Sequence, residues 1–576
     1  MLIDARTLPT DEVIETDVCI VGTGPAGLTL ARELIGQDFR VCVLESGGLD
    51  LPDADTQSLS EVETDGDFVQ VPPDSRNRRF GGNSTYWGVN IGKGLLGLRH
   101  VPLDEVDFEK RDWLPYSGWP IKRDHLNPYY ERAQEVCRLG PFAYEAEDWE
   151  DANSPRLPFI GDRVTTRIFQ FGPGKAFYQD YRDEINRSSN ITTYLHANAV
   201  ELETDETART VTRVRVACLQ GNKFWVNAKF VILAAGGVES AHLLLLSNKT
   251  QKAGLGNEND LVGRFFMDHP LVYGGLFIPA SPKLFSSMAL YDLRQLSKGT
   301  VMGGLALTNE VIRREQLLNT SMLLLPRPKK YRPSDAAISL KELVTGSGLK
   351  EGPKGVFQHL SNVVTGIGDI ASSAYDKLTK KPEPFWPNLS TGGWSQLPNK
   401  EQIYNVFEVL HQTEQAPHPD NRLVLASEYD KLGRRKVLMQ TRWRDVDIRN
   451  VKRAQTVFAE EIARAGLGRY EVELDGELPI LSTPGTSHHM GTTRMHVDPK
   501  QGVVDENCRV HSVSNLFIAS SAVFPTGGFG NPTLTIVALA IRIADQVKTI
   551  MASSPATVYE LRSETPIQTY SSNSNS

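Results

Sequence analysis

DVCIVGTGPAGLTLARELIGQDFRVCVLES, residues 17–46, decides the fold of this chain. DVCIV at 17–21 is an apolar run, LTLARELIGQ carries apolar residues at helical spacing, and VCVL at 41–44 is a second apolar run. Strand, turn, helix and strand make a βαβ unit. Between the first strand and the helix lies Gly22-Thr23-Gly24-Pro25-Ala26-Gly27, a GxGxxG sequence placed where a dinucleotide fold requires it. Gly22 permits the tight turn, Gly24 lets the backbone approach a pyrophosphate, and Gly27 lets helix and strand pack closely. The helix N-terminus turns its partial positive charge toward the phosphates. Glu45 ends the second strand, where its carboxylate can accept hydrogen bonds from a ribose diol. The segment predicts a dinucleotide site; by itself it does not separate FAD from NAD.

Two further stretches share this style. FVILAAG at 230–236 and NLFIAS at 515–520 read as buried strands. The second runs through a Gly/Pro-rich turn into TLTIVALAIRIADQVKTI, a long helix with a broad apolar face. Together these pieces predict one α/β domain, interrupted twice by other material. Residues 271–480 differ in character. EQIYNVFEVLHQTEQ and NRLVLASEY suggest β structure, and VDIRNVKRAQTVFAEEIARAG reads as an amphipathic helix. Residues 327–395 hold Lys, Pro, Ser and Gly clusters with short helical patches such as HLSNVVTGIGDIASSAYDKL. They predict a surface excursion or an oligomerisation arm, with an irregular loop as the competing reading. The chain ends TYSSNSNS, a composition that predicts a disordered tail.

Composition excludes several function classes. The chain has 576 residues, 40% hydrophobic and 23% charged, enough for a substantial core and two or three structural units. A net charge of −8 with interspersed signs gives no attraction to nucleic acid or anionic lipid. The most apolar stretch, VILAAGGVESAHLLLLS, is broken by Glu239 and His242, so no membrane span is expected. MLIDARTLPTDEVIETD lacks the features of a secretory signal. The five cysteines, Cys19, Cys42, Cys137, Cys218 and Cys508, are scattered and contain no CxxC pair. They predict neither a disulfide framework nor a zinc site, and they fit a reducing compartment such as the cytoplasm.

Three other motifs carry candidate chemistry. In RFGGNSTYWG, residues 79–88, Gly81 and Gly82 allow close backbone approach to a planar ligand, and Asn83 and Ser84 can present polar groups beside it. Taken alone, the motif reads better as an ordinary turn. In SHHMGTTRM, residues 487–495, His488 and His489 are adjacent, so on an extended segment one can face a ligand while the other packs. A zinc site of His488, His489 and His496 lacks the spacing of known zinc motifs, so no metal is expected. In SSAVFPTGGFGNPTLT, Asn531-Pro532-Thr533 opens a helix, where Asn531 can serve a polar ligand or simply cap the helix.

In combination these motifs resemble the glucose–methanol–choline oxidoreductases. The resemblance rests on GTGPAG with Glu45, RFGGNSTYWG, LVGRFFMDHP at 261–270, and the closing HHMGTTRM and GNPTLT segments. It looks most like the pyranose oxidases and related bacterial sugar or glycoside oxidases. It implies a Rossmann-like FAD-binding domain plus a discontinuous substrate domain built on a mainly antiparallel sheet. The implied division is 1–100, 191–270 and 486–552 for FAD, 101–190 for a lid, 271–485 for substrate with the 327–395 excursion, and 553–576 for the tail. By position His488 matches the catalytic histidine and Asn531 its active-site partner. Val200 would contact the adenine end, and Ser521 and Thr533 would lie near the pyrophosphate or the isoalloxazine. Some pyranose oxidases attach FAD through a histidine where this chain has Tyr86, so FAD is expected without a covalent bond.

The implied reaction is oxidation of an alcohol by hydride transfer to flavin N5. His488 would take the hydroxyl proton and Asn531 would orient the oxygen. The expected substrate is a sugar or glycoside hydroxyl, converted to a keto sugar. The alternatives are a sterol or natural-product alcohol, and a non-redox FAD-containing lyase. Oxygen, a quinone or a redox partner protein remain open as electron acceptor, and homo-oligomer formation is left open.

Overall fold

The structure is a computed structural model that describes residues 1–66, 75–328, 339–340, 343–344, 352–365, 387–483 and 486–553. Its first sheet is eight-stranded and mainly parallel. Leu2–Asp4, Ile191–Leu195, Val41–Leu44, Glu12–Val21 and Lys223–Leu233 lie side by side and run the same way. Lys223–Leu233 serves two neighbours along its far edge. Its first half pairs antiparallel with Val211–Ala217, which pairs with Asn198–Thr204. At its end, Val231, Ile232 and Leu233 pair parallel with Leu516, Phe517 and Ile518. The apolar runs at 17–21, 41–44, 230–236 and 515–520 therefore share one sheet. Val18–Val21, Val41–Leu44 and Leu516–Ile518 are wholly buried, which explains continuous rather than alternating apolar patterns. Thr533–Ser553 packs on both Pro25–Glu33 and Arg123–Val136.

The second sheet is eleven-stranded and antiparallel throughout. Its spine runs Leu271–Pro279, Val406–Thr413, Thr320–Arg327, Gly299–Leu307, Val164–Pro173, Leu95–His100 and Val89–Gly92. The amphipathic helix Asp445–Arg464 packs against Gly468–Val472 and Val164–Pro173, burying Val451, Ala454, Val457, Phe458 and Ile462. A third sheet of three strands joins Val62–Gly66, in parallel, to Arg435–Thr441, which pairs antiparallel with Arg422–Tyr429.

The topology adds detail to the sequence reading in three places. The boundary at residue 100 does not coincide with a change of sheet. Val89–Gly92 and Leu95–His100 form a hairpin whose second strand pairs with Val164–Pro173, so they belong to the antiparallel sheet. NRLVLASEY is a strand but leaves the large sheet, because its partner is Arg435–Thr441. Only Val406–Thr413 of EQIYNVFEVLHQTEQ is a strand; Lys400–Ile403 is a helical turn. Of the 327–395 excursion, Gly352–Thr365 is a helix, while 329–338, 341–342, 345–351 and 366–386 lie outside the described residues, as does the tail from 554 on.

A tight approach in the first sheet is at the glycine turn. Gly22 has φ +105°, and a Cβ there would stand 2.7 Å from the Ala234 carbonyl oxygen. A Cβ on Gly27 would stand 1.9 Å from the Gly22 carbonyl oxygen, inside any permitted contact. Gly27→Ala must therefore push helix from strand. The expected loss is about 1–3 kcal/mol of stability, seen as a lower denaturant midpoint at unchanged slope; a parental midpoint contradicts the packing described.

Candidate active site

The glycine turn, Glu45, Ala234–Gly237 and Ala519–Ser521 all follow the carboxyl ends of parallel strands, and together they wall a cleft of about 470 Å³. That size is within the ordinary range for a small-molecule site. The cleft runs past Gly22–Ala26, Glu45, Gly82–Asn83, Tyr86–Gly88, Ala197–Ala199, His488–His489 and Pro532–Thr533. A Cβ on Gly24 would meet nothing within 4 Å, so the turn opens onto free space. Glu45 is buried at the cleft wall. Its carboxylate accepts from the Thr23 N–H at 3.1 Å, from the Thr23 hydroxyl, and from the Gly47 N–H at 2.9 Å.

Most residues singled out from sequence line this cleft: Gly22, Thr23, Gly24, Pro25, Ala26, Glu45, Gly82, Asn83, His488, Ser521 and Thr533. Four do not. Gly27 packs behind the turn. The Ser84 hydroxyl donates to the Gly81 carbonyl at 2.7 Å, closing its own turn instead of facing a ligand. Val200 is buried away from the cleft, which takes Ala197, Asn198 and Ala199 from that segment. Asn531 lies just behind the wall, against His488. Asn531 Oδ1 accepts from Arg99 Nε at 2.8 Å and no hydrogen bond joins it to the helix amides, so the capping reading gives way to a side-chain contact.

His488 is held from several sides. Its Nε2 faces Asn531 Nδ2 at 3.0 Å; its Nδ1 faces His269 Nδ1 at 3.0 Å and the Thr486 hydroxyl at 3.1 Å. The backbone on either side is pinned by one carboxylate. Asp268 accepts from the His488 N–H at 2.9 Å, the His269 N–H at 2.7 Å and the Thr486 hydroxyl at 2.7 Å. Ser487, between them, adopts a left-handed φ of +62°, a conformation that persists only where surrounding contacts impose it. Burial pushes His488 well below the ordinary imidazole value, and the neighbouring His269 adds to this while Asp268 opposes it. Burial likewise lowers His489 to about 4, with Asp268 opposing. The His489 ring is tilted against Phe266 at 5.8 Å, and its carbonyl accepts from the Ser521 hydroxyl at 2.6 Å. Burial works to raise Asp268, but His489 and His488 outweigh it and hold the carboxyl below its ordinary value.

Sequence reasoning assigned no role to Arg99, Gln412, Asp268 or His269. The last two lie in LVGRFFMDHP, which offered a signal; Arg99 and Gln412 sit on antiparallel strands and had none. Among the described residues, no group of three His, Cys, Asp or Glu side chains could hold a metal, and no helix is long and apolar enough to cross a membrane.

Comparison with known proteins finds oxidoreductases. The family model described as GMC oxidoreductase matches residues 417–540, which include His488 and Asn531. The fructose dehydrogenase large subunit of Gluconobacter japonicus is 24% identical over 93% of this chain and 98% of its own length. 2-Methyl-1,2-propanediol dehydrogenase of Mycolicibacterium austroafricanum is 24% identical over 93% of this chain and 96% of its own. 6'''-Hydroxyparomomycin C oxidase of Streptomyces lividus is 23% identical over 94% and 92%. Residues 417–540 thus match the C-terminal domain of the GMC oxidoreductases, and the relatives that span nearly the whole chain are dehydrogenases and an oxidase.

Proposed function

We propose that the protein oxidises a sugar or glycoside hydroxyl to the corresponding ketone, with FAD held without a covalent bond. The observation that carries the reading is the imidazole of His488, held unprotonated beside Asn531 at the cleft wall. The relatives named for fructose and for an aminoglycoside support a polyhydroxylated substrate; the propanediol dehydrogenase supports a simpler alcohol as the second reading. The cleft residues fit the cofactor. The open backbone at Gly24 leaves room for a pyrophosphate, Glu45 suits a ribose diol, and Thr533 opens a helix at the far end. FAD supplies the hydride acceptor when bound. The chain's own work is proton handling and positioning. His488 Nε2 accepts the hydroxyl proton, a role worth roughly 10²–10⁴ in rate. Asn531 Nδ2 faces that same Nε2 at 3.0 Å, and a substrate oxygen would displace this contact, giving its proton to Nε2 while accepting from the amide N–H.

Further parts of this reading concern the rest of the chain. The mainly parallel sheet would bind FAD and the antiparallel sheet would face the substrate. Val200 would act through its backbone if it meets the adenine at all, since its side chain is buried elsewhere. A reducing compartment such as the cytoplasm suits five buried, unpaired thiols. Oxygen, a quinone and a partner protein remain the candidate acceptors.

Three outcomes are expected. Acid precipitation should release all flavin into the supernatant, because Tyr86 stands where a linking histidine would be; flavin retained by the pellet overturns the non-covalent reading. In anaerobic flavin reduction by sugars, His488→Ala should keep FAD but slow by at least about 10²-fold, with His489→Ala losing much less. The pH profile has a defined sign. A base must be unprotonated to act, and burial sets His488 below 6.5, so the parental rate should hold through that pH and fall only on further acidification. A midpoint at or above 6.5 contradicts the burial of the base.

A further inference from the structure

We propose that Arg99 is a positioning residue that fixes the orientation of the Asn531 amide and thereby the tautomer of His488. This rests on the proton-accepting role given to His488 above. Arg99 Nε lies 2.8 Å from Asn531 Oδ1. A guanidinium only donates, so the atom facing it must be the amide oxygen. The amide nitrogen then faces His488 Nε2 at 3.0 Å and can only donate to it. His488 Nε2 therefore carries the lone pair, and its proton sits on Nδ1.

The other end of the chain of contacts agrees. His269 Nε2 faces the Gly527 carbonyl at 3.3 Å and must donate there, which leaves His269 Nδ1 to accept from His488 Nδ1–H at 3.0 Å. Every bond from Arg99 to Gly527 runs in one direction.

The choice of residue is informative. Arg99 is buried, its polar partners Asn531 and Gln412 are uncharged, and its Nη1 has no hydrogen-bond partner among the described residues. The ring of Phe169 lies 5.1 Å from the guanidinium carbon. Burying a cation this way is costly, and burial lowers Arg99 to about 10. A neutral glutamine could also bond to Asn531, but either end of its amide could face either end of Asn531, leaving the direction unset. A donor-only side chain removes that ambiguity. The charged and titratable groups facing His488 are Arg99 from one strand, Asp268 and His269 from the 261–270 segment, and His489 beside it.

The test uses the full-length, flavin-loaded protein with ¹⁵N-labelled histidine. Long-range ¹⁵N–¹H spectra read the tautomer, with the His488 signals identified by their loss in His488→Ala. The parent should show His488 protonated on Nδ1. Arg99→Lys, still donor-only, should keep that tautomer and stay within about threefold of the parental flavin-reduction rate. Arg99→Gln and Arg99→Met should show mixed tautomers and a rate at least about 10-fold lower, with flavin content unchanged. Asn531→Asp presents an acceptor to Nε2 and should invert the tautomer outright. His488 protonated on Nε2 in the parent, or an unaltered tautomer in folded Arg99→Gln, overturns the proposal. If Arg99→Met fails to fold, the Lys and Gln variants decide. The spectra need no substrate, so a parent whose flavin no alcohol reduces would defeat the proposed function and leave this result standing.

Discussion

The short parallel ladder between Val231–Leu233 and Leu516–Ile518 is the constraint on which the site depends. It returns the chain, after almost three hundred residues spent elsewhere, to the edge of the sheet that began at the N-terminus. Parallel strands that end together release their following loops at one edge, and ligands of open α/β sheets sit outside that edge. Here the released loops are the glycine turn, Glu45 to Gly47, Ala234 to Gly237 and Ala519 to Ser521. The ladder also sets the start of Thr533–Ser553, and with it Asn531 and Thr533. Its three residue pairs are buried, so their pairing is shielded from competition by water.

Against this edge the antiparallel sheet supplies a polar backing. Leu95–His100 and Val406–Thr413 bring Arg99 and Gln412 to Asn531, while the end of the 261–270 segment brings Asp268 and His269 to His488. His488 and Asn531 are thus held between two sheets, with contacts from the antiparallel side reaching both side chains and, through Asp268, the His488 backbone. The Asp268 carboxylate is central to this arrangement, since it accepts from the backbone on both sides of the histidine pair. Such convergence of fixed donors is what keeps a reacting group in one geometry.

What the sequence disclosed follows from the range of each interaction. The glycine turn, Glu45 and the histidine pair were legible because their signals lie within a few residues of one another. Asn531 was legible as a position, but its two roles could not be separated without knowing that Arg99 occupies its oxygen. Arg99 and Gln412 were not legible, since strand register across more than three hundred residues brings them together and no local pattern encodes it. Val200 and Ser84 show a finer failure. Both sit in the right segment, yet one lies beside the residues that reach the cleft and the other spends its hydroxyl on its own turn.

The three-stranded sheet has a consequence for how the chain can be divided. Val62–Gly66 lies in the N-terminal part, yet its parallel partner Arg435–Thr441 lies far along in the C-terminal half. With the hairpin at 89–100 already committed to the antiparallel sheet, the backbone crosses between the two large sheets repeatedly and is laced at each crossing. No single cut yields two pieces that each own a complete core. Exchanging the antiparallel sheet with a relative's would therefore require several simultaneous junctions.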